Sequence, residues 1–248
     1  MTGREIALMA IPAGVSAAGG VLAALVHPSP RARSLIQHFA AGVVLSALAV
    51  ELLPEIEREH APGWVLATSF GVGCAFMFGM KMLTERIEKR DEQRHGSGAS
   101  GHAQKAGGVA LGLLVATFID VAVDGFIIGA GFAAPGSTGK ILAIGLSVEL
   151  LFLGLSLTSE APGGWRIIAI SSALGVVVMV TAMIGKALLG NASHATIGGA
   201  LAFAAAALLY LVTEELLVEA HKEPETPAST LVLFAGFLAF WCVQLFGA

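Results

Sequence analysis

Two aspartates one helical turn apart, in Phe118-Ile119-Asp120-Val121-Ala122-Val123-Asp124-Gly125, stand inside an apolar run from about 107 to 133. With a helical rise of about 1.5 Å per residue, each lies on the order of 15 to 20 Å from either end of that run, near a bilayer midplane. A carboxylate costs several kcal/mol at that depth, so such groups face a bundle interior or a water-filled cavity and meet a cation, a proton or a basic partner. At positions i and i+4 the two side chains share one helix face and repel one another unless a cation or a proton lies between them. No Lys, Arg or His sits at comparable depth in any apolar run. What remains is protonation or a bound cation.

A third acid, Glu149 in Leu146-Ser147-Val148-Glu149-Leu150, occupies the middle of the next apolar run, so three carboxylates from adjacent antiparallel helices can converge. A divalent cation would let all three ionise, and its binding would release protons. Oxygen-only ligation suits hard cations such as Mg²⁺ or Mn²⁺. Thr117 and Ser156 are candidate accessory hydroxyl ligands, one turn before Asp120 and two turns beyond Glu149; each residue type also commonly bonds its own helix backbone. Met179 and Met183 share a face of the sixth run as candidate soft ligands, although helical Met pairs mostly pack cores. His38, Glu51, Glu55, Glu214, Glu215 and Glu219, near helix ends, are candidates for access vestibules or are simply solvated. His95 and His102 flank a Gly/Ser linker and could catch a metal transiently.

The elements that must position these groups follow from composition. The chain has 248 residues, 56% hydrophobic and 13% charged, with net charge -4 and mean hydropathy +0.81, which excludes a soluble globular protein. Eight apolar runs are long enough to cross a membrane: about 5–26, 35–54, 64–83, 107–133, 138–158, 165–188, 196–218 and 229–247. Residues 1–248 form one transmembrane domain, with 84–106 expected as a flexible cytoplasmic loop of charged and Gly/Ser-rich sequence. The first run carries Glu5 beside Arg4 and exceeds a signal-peptide core, so it reads as a transmembrane helix. Cys74 and Cys242, each alone in an apolar run, read as core residues.

Basic residues orient the chain. Loops after the odd-numbered helices hold Arg31, Arg33, Lys81, Arg86, Lys89, Arg90, Arg94, Lys105, Arg166 and Lys222, whereas the other side holds Arg4, Arg58, Lys140 and Lys186, dividing the fourteen Lys and Arg ten to four. The odd loops are therefore expected in the cytoplasm and both termini outside.

Helices two and seven share an internal match. Phe39-Ala40-Ala41, Glu51-Leu52-Leu53 and Glu55 recur as Phe203-Ala204-Ala205, Glu215-Leu216-Leu217 and Glu219 at one constant offset, and Glu59 recurs as Glu223. The offset carries an even helix onto an odd one, so the copies run in opposite directions, as in inverted-repeat transporters.

These residues resemble the ZIP family of divalent metal transporters. Helix two, from Phe39-Ala40-Ala41-Gly42 through Leu52-Leu53-Pro54-Glu55, is similar to that family's second helix, and the eight-helix layout, the His-containing loop after helix three and the inverted match extend the resemblance over nearly the whole chain. The resemblance implies an all-α, inverted-repeat ZIP-like bundle that takes metal into the cytoplasm, with helices one, four, five and six moving against the other four. The family's fourth-helix pattern H-N-x-P-E-G stands here as Asp120-Val121-Ala122-Val123-Asp124-Gly125, keeping acid and glycine but not the histidine or proline. In helix five, Glu149-Leu150-Leu151-Phe152-Leu153-Gly154 keeps only the first ligand position and the glycine. A single metal site of Asp120, Asp124 and Glu149 is thus expected, where the family commonly builds two.

The expected function is a membrane transporter for a divalent cation, with Zn, Mn, Fe and Mg unresolved, no permanent cofactor, and no enzyme activity. The alternative is a ZIP-fold protein that binds protons or another solute, or has a regulatory role. An intramembrane enzyme using the carboxylates as acid and base is disfavoured because no Ser, Cys or His nucleophile accompanies them at depth. Partners expected are the metal ion, the lipid bilayer and, as an open alternative, a second copy in a homodimer. Nucleic-acid binding has no support, the basic residues lying in short membrane-flanking loops. A bacterial cytoplasmic (inner) membrane is the expected location.

Overall fold

A computed structural model describes residues 2–25, 29–96, 111–156, 164–224 and 226–247. Within them the chain is all helical, and we number its rods α1 Gly3–Leu25, α2 Pro30–Arg58, α3 Gly63–Gly96, α4 Leu111–Ala133, α5 Thr138–Ser156, α6 Gly164–Leu189, α7 His194–Ala220 and α8 Pro227–Gly247. Six of them, α1, α2, α3, α6, α7 and α8, are long and apolar enough to cross a membrane, which makes this a multi-pass membrane protein; α4 and α5 carry the acids. Bundles of complete helices are expected in lipid because each rod satisfies its own backbone.

Local signals set the helix starts. Thr2 and Glu5 form a reciprocal capping box on α1, with the Thr2 amide donating to Glu5 at 2.8 Å and the Glu5 amide to the Thr2 hydroxyl at 3.3 Å. Ser29 caps α2 by accepting from the Ala32 amide, with Pro30 in the first turn, and Ser193 caps α7 by accepting from the Thr196 amide. These two serines are separated by the same offset as Glu51 and Glu215.

Both rods also carry a π-helical turn, at Leu48–Leu52 in α2 and Leu211–Leu216 in α7. In α2 the cause is Pro54, which has no N–H to donate to the Val50 carbonyl one turn back. That carbonyl instead accepts from the Gln244 side chain of α8 at 3.0 Å. In α7 no proline is present, and the Thr213 hydroxyl bonds the Leu209 carbonyl at 2.9 Å.

The loop expected over 84–106 does not begin at 84: α3 continues to Gly96. The segment from Glu85 to Arg94 is rich in helix formers, with Glu85 and Lys89 at the i,i+4 spacing that supports a helix in water. The remainder of that stretch, with His102, lies outside the described residues.

Packing divides the rods into two groups. The most extensive contacts join α4 to α6, α1 to α6 and α1 to α5, with α4 against α5, while α2 pairs with α8 and α3 with α7. The α2–α8 contact is close because Gly42 faces the Leu233 carbonyl and Gly236 faces the Phe39 carbonyl, positions where a Cβ would collide with backbone. α2 and α7 run antiparallel: at one end Ser34 donates to the Ala220 carbonyl at 2.8 Å, and at the other His194 meets Glu59 at 2.7 Å. The groups face each other where α5 meets α2 and where α4 meets α3 and α7.

Candidate metal centre

Asp120 and Asp124 lie on one face of α4, and the 134–137 turn brings α5 back alongside so that Glu149 reaches the same point. One carboxylate oxygen from each of the three lies within 4.8 Å of the others. Among the described residues this is the one group of three or more His, Cys, Asp or Glu side chains that converge so closely. Asp124 and Glu149 are 3% and 5% exposed, and Asp120 is half-buried.

One oxygen of Asp124 and one of Glu149 are buried with no hydrogen-bond partner among the described residues. Buried polar atoms are nearly always satisfied, so orphaned oxygens on two of the three clustered acids fit a bound cation or proton. Mutual repulsion opposes three ionised carboxylates this close, and a divalent ion would relieve it while accepting several oxygen ligands.

Gly125 positions this helix face. A Cβ there would run into the Thr181 hydroxyl and the Val178 carbonyl, so only glycine lets α4 approach α6 beside Asp124. Thr181 is itself fixed by donating to the Val177 carbonyl at 2.9 Å.

A cavity of about 490 Å³ between the two helix groups opens onto the acids. Thr117, Asp120 and Glu149 line its α4–α5 wall, and Glu214, Glu215 and Glu219 of α7 line the facing wall. It lies at the end of the bundle that holds the start of α2 and the ends of α3, α5 and α7. Lys81 and Lys222 also line it, but Glu214 holds Lys81 at 2.7 Å and Glu219 pairs with Lys222, so these cations are committed elsewhere than to the three acids.

The remaining sequence candidates fall in other places. His38 is buried, with Nδ1 2.8 Å from the Ser34 carbonyl and its ring edge-on to His221, so it stitches α2 to the end of α7. Glu51 is 7% exposed and accepts from Gln244 at 3.3 Å; Glu55 is 3% exposed and pairs with Arg58 at 3.0 Å. Met179 and Met183 are half-buried and do not line the cavity; Met183 packs against the core. Cys74 and Cys242 are half-buried free thiols. The side chains of Ser156 and His95 lie outside the described residues.

Sequence reasoning missed Met77 and Met80 of α3 and Gln37 of α2, which line the cavity. Met77 and Met80 sit three apart on one helix face, but the sequence of a single helix does not say which neighbour that face meets. No protein-family model matches the chain, and no curated protein matches it.

Proposed function

We propose that the chain is a carrier for a divalent cation, with eight membrane-spanning helices arranged as in the ZIP family. The observation that supports it most is the convergence of Asp120, Asp124 and Glu149, two of them carrying orphaned oxygens, at the end of a cavity inside an apolar bundle. A protein in lipid has little reason to bury three acids together unless they hold a cation in transit. The matched N-caps and π turns of the antiparallel α2 and α7 support an inverted repeat, and the packing of α1, α4, α5 and α6 on one another supports a unit that moves against the rest.

In this reading Asp120, at the cavity, receives the ion, and Asp124 and Glu149 complete its ligation. The acidic wall of Glu214, Glu215 and Glu219 raises the local cation concentration at the mouth. All-carboxylate ligation favours Mn²⁺ or Mg²⁺ over a zinc preference that a histidine would support. Protons compete for the same oxygens, so metal affinity falls as pH falls.

The test is influx of Mn²⁺, Zn²⁺, Fe²⁺, Mg²⁺ and Cd²⁺ into liposomes holding the native chain or Asp120→Asn with Asp124→Asn, with internal pH followed in parallel. Metal influx that disappears in the double variant is expected. Equal influx through both chains would sink the carrier reading, and absence of flux for every ion with the native chain would leave proton binding or regulation as the role of the acids.

A further inference from the structure

A second cavity, of about 520 Å³, lies at the opposite end of the bundle, where α1 begins, α4 turns into α5 and α6 ends. Its lining gathers Arg4, Lys140 and Lys186 against a single acid, Glu5. These are three of the four basic residues that loop parity sets on that side, Arg58 being the fourth. A side nearly bare of positive charge thus concentrates what it has in one place.

The charges are not equally committed. The Lys186 ammonium bonds Glu5 at 2.5 Å and the Phe132 carbonyl at 3.0 Å, which neutralises it and fixes the floor. Arg4 and Lys140 form no ion pair among the described residues. Two positive charges therefore remain in excess, one from α1 and one from α5, with the Ser137 side chain between helices α4 and α5 and the apolar Leu8 and Phe132 completing the wall. A guanidinium and an ammonium lining one cavity suit a tetrahedral oxyanion with several acceptor oxygens. The ends of membrane-crossing helices lie at headgroup depth, where such groups are abundant.

We propose that this cavity binds a phosphate group, the chemistry shared by an anionic phospholipid headgroup and by free inorganic phosphate. The bound group bridges Arg4 to Lys140 and so ties the start of α1 to the start of α5, next to the Glu5–Lys186 pair that already ties α1 to α6. It is independent of the acidic centre and of whether metal is carried.

The experiment is native mass spectrometry and thermal unfolding of the full chain in neutral detergent, with dioleoylphosphatidylglycerol, dioleoylphosphatidylcholine or inorganic phosphate added. Retention of phosphatidylglycerol in preference to phosphatidylcholine, with a raised unfolding temperature, is expected. Arg4→Gln with Lys140→Gln should weaken that binding roughly 25-fold, about fivefold for each charge removed. The charge-keeping pair Arg4→Lys with Lys140→Arg should retain it, which separates charge from any loss of folding. Protection by inorganic phosphate alone, competing with the lipid, would identify free phosphate as the source; protection by the lipid only would identify the headgroup. Equal phosphatidylglycerol binding by the native and double-Gln chains, or no effect of either phosphate source on the native chain, overturns the proposal.

Discussion

α2 and α7 begin with the same capping serine and break into a π turn at nearly the same register, and both present a glutamate in that turn, Glu51 or Glu215. Yet Glu51 is 7% exposed and held by Gln244 of α8, whereas Glu215 is exposed and lines the cavity that reaches Asp120. Two helices of similar local structure therefore place their π-turn glutamates in opposite environments. The difference lies in what packs against each π turn: Gln244 donates to the Val50 carbonyl and to Glu51 in α2, while in α7 an intrahelical hydroxyl from Thr213 caps the freed backbone and leaves the glutamate outward. The π turn of α2 is thus closed off, while that of α7 is open to the cavity.

The contrast can be broken most directly by access. In a Cys74→Ser, Cys242→Ser background, Glu215→Cys should react with a membrane-impermeant thiol reagent at least about 100-fold faster than Glu51→Cys, since opening a buried position costs several kcal/mol. Comparable rates at the two positions would erase the distinction between closed and open sides.

Gln244→Leu probes why the α2 side is closed. Removing this donor leaves the Val50 carbonyl and the buried Glu51 carboxylate short of a partner, so the chain should lose about 1–3 kcal/mol of stability, read as a lowered unfolding temperature in detergent. The same substitution should speed labelling of Glu51→Cys and leave Glu215→Cys unchanged. A stable Gln244→Leu chain with Glu51→Cys still protected would mean that side-chain packing alone closes this side.

The smallest effect sharpens the likeness instead. Ser29→Ala and Ser193→Ala each remove one cap and should each cost about 1 kcal/mol. Unequal losses in thermal unfolding would show that the two helix starts differ in their surroundings as much as the two π turns do.

Much of this architecture was legible in the chain. Asp120 and Asp124 announce themselves because ionisable groups are costly in hydrocarbon, and their i,i+4 spacing places them on one face whatever surrounds the helix. Each of the eight apolar runs overlaps one of the rods, six of which are long and apolar enough to cross a membrane. α3 runs past its apolar stretch into the polar, charged segment expected as a loop, because those residues are good helix formers that need no core to pair with. Met77, Met80 and Gln37 were not legible as lining residues because residue type and spacing along one helix do not say which of its faces borders a cavity.

The sequence by itself determined that this chain enters a membrane and that Asp120, Asp124 and Glu149 stand inside apolar runs, because hydropathy and burial cost are properties of residues and their near neighbours. Only the tertiary structure decided that oxygens of Asp120, Asp124 and Glu149 come within 4.8 Å of one another, that Gln244 closes over Glu51 while Glu215 stays open, and that Arg4, Lys140 and Lys186 share one cavity. These groups lie on different helices, and the rotation and spacing of packed rods depend on contacts such as Gly125 against Thr181 and Val178, which no single stretch of sequence contains.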